Sequence, residues 1–269
     1  MDTKRIAHLS DLHFGKIAHP GIVDALIEEL NGLNPDVVAI SGDLTQRARE
    51  MEYQAASSML EAIEPPTIVV PGNHDVYPWW SPLARLLRPL ARYRRYISGD
   101  ASPKLMFDNL AVLGINSAHG RTVKGGRIGT SERQAILDFF GDLPKRTFKV
   151  LVVHHHLTQI QALGPHDVAR KARKTIERAA EVGVDLVLCG HLHISHIEPI
   201  EIVPAEHRLI IASAGTATSS RGRRKHRRIN FYNLITVTGD HFTVEERRYD
   251  PDEGRFVSDC VTRFERDFD

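Results

Sequence analysis

Short apolar runs alternate with amphipathic stretches along the first two thirds of the chain. Residues 5–9 read as a strand. Pro20 falls in the first turn of a helix whose apolar positions, Ile22, Val23, Leu26, Ile27 and Leu30, recur at helical spacing, with Gly32 or Asn34 as its stop. Residues 36–40 form a buried strand, 50–63 a second amphipathic helix and 67–70 a third strand. The rhythm resumes with a strand at 111–115, a helix at 131–140, a strand at 148–153, a helix at 167–182 and a short strand at 185–188. Strand, loop, helix, strand is the pattern of a layered α/β fold.

Two stretches break that rhythm. Residues 76–104 carry Trp79, Trp80, several prolines and five arginines, and read as a mostly helical insertion. From about residue 194 the pattern turns β-rich, with strands at 194–203, 208–213, 229–237 and 241–249; the last 20 residues are polar and read as a surface tail or edge. No internal repeat and no low-complexity linker divides residues 1–269, so one domain is expected.

Composition adds little to this picture. The chain has 269 residues, 42% of them hydrophobic, which suits a large filled core. The formal net charge of +1 provides no global field that would select nucleic acid or membrane. Cys189 and Cys260 lie far apart; Cys189 sits in an apolar run and reads as a buried free thiol, which favours a reducing compartment. No apolar signal segment and no membrane-spanning run is present. A cytoplasmic protein with no membrane partner is expected.

The chemistry lies at the strand ends. Five stretches follow apolar runs: Asp11-Leu12-His13, Gly42-Asp43, Gly72-Asn73-His74-Asp75, His154-His155-His156 and Gly190-His191-Leu192-His193. In open α/β sheets the carboxyl ends of strands are where sites form. Asp11 and His13 are two apart, so a strand pleat would point both the same way. Asp43 is a carboxylate free to bridge two ions, and Asn73 offers a neutral carbonyl oxygen. His191 and His193 repeat the two-apart spacing after Gly190, which lets the backbone approach closely. Mixed carboxylate, amide and imidazole ligands suit Mn, Fe, Zn or Co rather than Ca.

This order, D-x-H, GD, GNH[DE], H, GHxH, resembles that of the calcineurin-like metallophosphoesterase superfamily, over residues 5–215. The resemblance implies a four-layer α/β/β/α sandwich of two mixed sheets, with a dinuclear centre on the loops above. It implies that Asp11, His13, Asp43 and His193 surround one divalent ion, and that Asp43, Asn73, His191 and one histidine of the 154–156 triplet surround the other. The register of Leu157, where many members carry proline, points to His155; counting from the strand start points to His154, and the reading leans to His155. Mn and Fe are the expected metals, with Zn or Co as substitutes. In the resembled family the histidine at His74 faces the scissile phosphate as general acid or charge stabiliser, and Asp75 is placed to orient its ring. Two ions about 3.5–4 Å apart would share a hydroxide that attacks phosphorus in line. Asn116 and His119, just past strand 111–115, are expected to reach substrate, as is His74.

The motif series alone does not select a phosphoester. Gly42-Asp43-Leu44-Thr45-Gln46-Arg47 lacks the GDxVDRG of protein Ser/Thr phosphatases, and Gly72-Asn73-His74-Asp75 differs from the GNRD of lipid-A pathway pyrophosphatases. The remaining likeness is to bacterial class III cyclic-nucleotide phosphodiesterases and their glycerophosphodiesterase relatives, which implies a small-molecule phosphodiester substrate. Some of these are dimers, so a homodimer is a further expectation. The rival readings are a phosphomonoesterase, or a nuclease that binds DNA or RNA through the basic run at 221–228, six Lys/Arg in eight residues. A non-catalytic metal-bearing scaffold is the third class, disfavoured because every expected ligand and His74 are present. Trp79 and Trp80 could stack a nucleobase, but such residues more often fill a core or a dimer contact.

Overall fold

A computed structural model describes residues 3–122, 124–160, 163–202, 207–222 and 229–266. Among the described residues twelve strands form two mixed six-stranded sheets. In the first, β1 (Lys4–Leu9), β2 (Val37–Ile40) and β3 (Thr67–Val69) run parallel. On the other side of β1 lie β10 (Phe231–Thr238), β11 (His241–Asp250) and β12 (Arg255–Glu265), each antiparallel to its neighbour. The second sheet has β5 (Leu110–Ile115), β6 (Phe148–Val153), β7 (Leu186–Cys189) and β9 (His207–Ser213) in parallel. Its edges are the antiparallel β4 (Lys104–Phe107) and β8 (His196–Ile202).

Successive residues of the central strands enter different cores. Ile6, Val37, Ala39, Ile68, Val150 and Val152 pack between the sheets. Ala7, Leu9, Val38, Ile40 and Val69 face α1 (Ile22–Leu33) and α2 (Glu50–Ala62), whereas Leu151 and Val153 face α5 (Thr130–Phe140) and α6 (Ala172–Glu181). Strands covered on both faces read as continuous apolar runs, which is why these were legible in the sequence. The result is the expected α/β/β/α sandwich. The C-terminal ends of the parallel strands of both sheets meet along one rim.

Three boundaries differ from expectation. Helix α1 begins at Ile22, so Pro20 lies outside it, and Asn34, left-handed at φ 45°, ends it by donating its N–H to Leu30. Helix α6 begins only at Ala172: Ala169 and Arg170 donate to the backbone of His156 and Gly126, and Lys171 is left-handed, so 167–171 is tied to the site loops. The insertion holds only two short helices, α3 (Pro82–Leu87) and α4 (Ala91–Tyr96), and its end is strand β4. The polar last stretch is an edge, as expected: after a turn at 251–254 the chain forms β12 at the rim of the first sheet, and residues 267–269 lie outside the described residues. Cys189 is buried and Cys260 exposed, both free thiols. No helix among the described residues is long and apolar enough to cross a membrane.

Candidate metal centre

The loops after β1, β2, β3, β6 and β7 bring the motif residues together. Beyond β1 and β2 the two chains keep pairing irregularly: Asp11 N–H donates to Gly42 and His13 N–H to Asp43. Here the pleat expected for Asp11 and His13 does not apply. Both are left-handed, at φ 53° and 47°, and so are Asp43, His191 and His193 at 53°, 69° and 57°. Non-glycine residues rarely adopt this region, and such strain gathers where a surrounding structure over-determines it for function. Two glycines are set by close approach. A Cβ on Gly72 would lie 2.1 Å from Asp43 Oδ1, and one on Gly190 would lie 1.8 Å from Ser10 Oγ and 2.6 Å from Asp11 Oδ2.

Two donor clusters share Asp43. In the first, ligand atoms of Asp11, His13, Asp43 and His193 all lie within 4.8 Å of one another, and all four residues are buried. His193 Nε2 is 3.1 Å from Asp11 Oδ1; His13 Nε2 is 3.5 Å from Asp11 Oδ1 and 3.7 Å from Asp43 Oδ2. In the second, Asn73 Oδ1 is 2.9 Å from His191 Nδ1 and 3.2 Å from His154 Nε2, which is 3.4 Å from Asp43 Oδ1. The two oxygens of Asp43 thus face different clusters.

The donor set fits cations. Asp11 Oδ1 and Asp43 Oδ2 are buried with no hydrogen-bond partner. An orphaned buried carboxylate oxygen is costly, and a metal ion is one of the few groups that resolves it. The histidines are oriented from behind. The Nδ1 atoms of His13, His154 and His193 donate to the carbonyls of Thr45, Ser41 and Arg221 at 3.2, 2.7 and 2.8 Å. A carbonyl can only accept, so in the neutral, metal-ready ring each Nε2 presents its lone pair toward the carboxylates.

Electrostatics agree. Burial alone would raise the carboxyl pKa values, but His193 and His13 hold Asp11, and His154 and His74 hold Asp43, well below the carboxylate range. Burial opposes charge on His154, yet Asp43 carries it up to about 9; Asp11 likewise raises His193. Burial and the neighbouring His154 push His191 down to about 3. Positive charge is therefore favoured at two places, one on each side of Asp43.

His155 belongs to the same group as His154 and His191, with ligand atoms within 4.8 Å of one another, but both its ring nitrogens already have partners. Its Nε2 donates to Lys124 O at 3.1 Å and its Nδ1 accepts from Ser117 Oγ at 2.8 Å. The geometry therefore favours His154, against the lean to His155. Strand-end counting cannot resolve adjacent histidines; their partners can.

His74 stands at the mouth of the centre. Its backbone N–H donates to Asp43 Oδ1 at 2.8 Å and its Nδ1 to Gln46 O at 2.6 Å. Asp75 does not orient this ring. Its carboxylate accepts from Leu44 N, Thr45 N, Thr45 Oγ1 and Gly72 N, locking the Asp43 loop to the Asn73 turn. Burial and nearby Asp43 raise its pKa to about 7.

A cleft of about 580 Å³ opens beside His74, lined by Gln46, Asn73, Trp79, Trp80 and Arg221 among others. Asn116 and His119 are not brought into its lining. Asn116 Oδ1 accepts from Ala118 N and His119 Nε2 donates to Arg127 O, so both brace their own loop. The sequence marks Arg221 as the start of a basic run and puts the 216–222 loop at the pocket rim, without saying which side chain enters the cleft. Residues 223–228 of that run lie outside the described residues, whereas Arg221 Nη1 reaches His74 Nε2 at 3.0 Å. Its sequence context gave no sign of that contact.

The chain belongs to the calcineurin-like phosphoesterase family, whose model matches residues 4–195. It is 33% identical over 123 residues to glycerophosphodiester phosphodiesterase GpdQ of Enterobacter lignolyticus, covering 40% of this chain and 44% of that protein. It is 25% identical over 162 residues to 3′,5′-cyclic adenosine monophosphate phosphodiesterase CpdA of Haemophilus influenzae, covering 59% and 54%. The chain thus spans about half the length of these relatives. Purple acid phosphatase PPD1 from yellow lupin shares the fold, with a TM-score of 0.71 at 13% identity over 99% of this chain and 54% of that one.

Proposed function

We propose that the chain is a dinuclear-metal-dependent phosphodiesterase acting on a cyclic nucleotide or another small phosphodiester. The observation that carries this reading is Asp43, whose two oxygens face two separate histidine clusters, one of them orphaned in the interior. Asp11, His13, Asp43 and His193 would hold one ion, and Asp43, Asn73, His154 and His191 the other. Mn and Fe fit this hard and borderline donor set best, with Zn or Co as substitutes. When bound, such a pair supplies Lewis acidity toward phosphoryl oxygens and makes water nucleophilic near neutral pH.

The remaining steps belong to side chains. With Nδ1 held on the Gln46 carbonyl, Nε2 is the atom of His74 turned toward Arg221 and the cleft. Once Arg221 turns to the phosphate, Nε2 is free to take a proton from solvent, and the resulting imidazolium of His74 delivers that proton to the leaving oxygen and returns to the neutral ring. Arg221 pairs with a non-bridging phosphoryl oxygen, a charge-assisted contact suited to a guanidinium. The diesterase names of two relatives support the substrate class. The test is a panel on Mn(II)-, Fe(II)- or Co(II)-reconstituted protein: cyclic AMP, 2′,3′-cyclic nucleotides, glycerophosphodiesters, an aryl monoester and single-stranded DNA. Turnover confined to the monoester or to DNA would replace the diesterase reading.

A further inference from the structure

The stretch from Val76 to Ile97 contains five arginines and no acidic residue, in a chain of net charge +1. Its outer side is apolar. Trp79 is 71% exposed, Trp80 50%, Leu83 74%, Leu86 56% and Leu87 78%, and α3 buries none of its residues. These five make up most of the large exposed apolar side chains among the described residues. Scattered exposed leucines need no explanation, but a concentrated patch marks a contact.

The base of this segment is fixed. Arg85 donates to the carbonyls of Tyr77, Gly120 and Thr122, and Tyr93 Oη donates to Val69 O at 2.8 Å. The patch is therefore held outward on an anchored support. Arg92 and Arg95 face Glu50, whereas exposed Arg88, just past α3, and exposed Arg94, on α4, form no ion pair among the described residues.

We infer that residues 79–88 dock the protein peripherally on an anionic lipid surface. Tryptophan and leucine beside arginine, with no carboxylate within residues 79–88, are the composition that seats a short element at the headgroup boundary. Basic side chains there add attraction to anionic headgroups. Leu83, Leu86 and Leu87 project from a six-residue helix and line no part of the cleft, which suits a fluid surface better than a folded partner. Trp79 and Trp80 also line the cleft beside His74, so docking would turn that cleft toward phosphoesters held at the surface. A peripheral contact needs no spanning helix, so the lack of one does not oppose it.

The test is sedimentation of the full chain with vesicles of phosphatidylcholine alone and of phosphatidylcholine mixed with phosphatidylglycerol. Binding should favour the mixed vesicles and weaken with salt. L83Q/L86Q/L87Q should reduce it about tenfold, and R88Q/R94Q several-fold. The leucine variant should keep wild-type thermal unfolding and wild-type hydrolysis of a soluble aryl phosphodiester, since those leucines lie outside the cleft lining. Vesicle binding requires no turnover, so a failure of the proposed hydrolysis leaves this result readable. Equal sedimentation with and without vesicles would overturn the inference, as would undiminished binding by the leucine variant. Conversion of a stable dimer to monomer by that variant would assign the patch to a second copy instead. Capture by polyglutamate but not by vesicles would assign it to an acidic protein.

Discussion

Arg221 Nη1 lies 3.0 Å from Nε2 of His74, the ring atom proposed to carry the leaving-group proton. Because Nδ1 donates to Gln46, Nε2 is the acceptor in that contact. An anionic phosphoryl oxygen is a stronger acceptor than a neutral imidazole, so substrate should draw the guanidinium away and free Nε2. Arg221→Gln should raise KM for phosphodiesters about tenfold or more with metal content unchanged. Steady-state kinetics beside metal analysis checks this; an unaltered KM would remove Arg221 from substrate binding.

His74→Ala should lower kcat by about 10²–10⁴, the usual range for a lost general acid, while two ions remain bound. The loss should be smaller for substrates with a good leaving group, such as aryl diesters, because these need less protonation. A uniform loss across leaving groups would point to a positioning role.

His154→Ala should lose one ion and most activity, whereas His155→Ala should keep both ions. The reason is that both ring nitrogens of His155 are already committed to Ser117 and Lys124. Elemental analysis of the two variants decides it; the opposite pattern would restore the histidine favoured by the Leu157 register.

Gly72→Ala should abolish metal binding without replacing a ligand, since the added Cβ would displace Asp43, meeting its Oδ1 at 2.1 Å and its N at 2.4 Å. A folded but metal-poor protein is the expected outcome, read by circular dichroism and metal analysis.

His8 gives a pH prediction. It lies beneath the centre with Nε2 2.9 Å from Ser41 Oγ, and burial lowers its pKa from 6.5 to about 3. The unfolded chain therefore binds the extra proton between about pH 6.5 and 3, so stability falls as pH drops through that window. The slope should approach about 1.4 kcal/mol per pH unit for this one group. Urea unfolding of wild type and His8→Gln at matched metal levels should show a shallower acid loss in the variant.

Much of this architecture was readable from the sequence because the strands are buried on both faces. Runs such as Val37–Ile40 appear as unbroken apolar stretches whichever layer each residue enters. The motif residues were readable because each follows such a run. What the sequence hid depends on tertiary partners. Only the Ser117 and Lys124 contacts separate His155 from His154. Only the Gly72, Leu44 and Thr45 N–H groups reveal that Asp75 braces two loops rather than the His74 ring. Strand β4 was hidden because Lys104–Phe107 gains its strand identity by pairing with β5 at the end of an arginine-rich stretch. Arg221 reaches His74 across 147 positions of sequence, which no local pattern encodes.

The central claim is that one carboxylate holds two ions apart at a phosphodiester-cleaving site. Metal titration by calorimetry with Mn(II), on wild type and Asp43→Asn, tests it most directly, with cyclic-nucleotide and aryl-diester turnover measured on the same samples. Wild type should take up two ions per chain and hydrolyse a diester, and the variant should lose at least one ion together with activity. A wild-type stoichiometry of one, or full occupancy and activity in Asp43→Asn, would contradict the account.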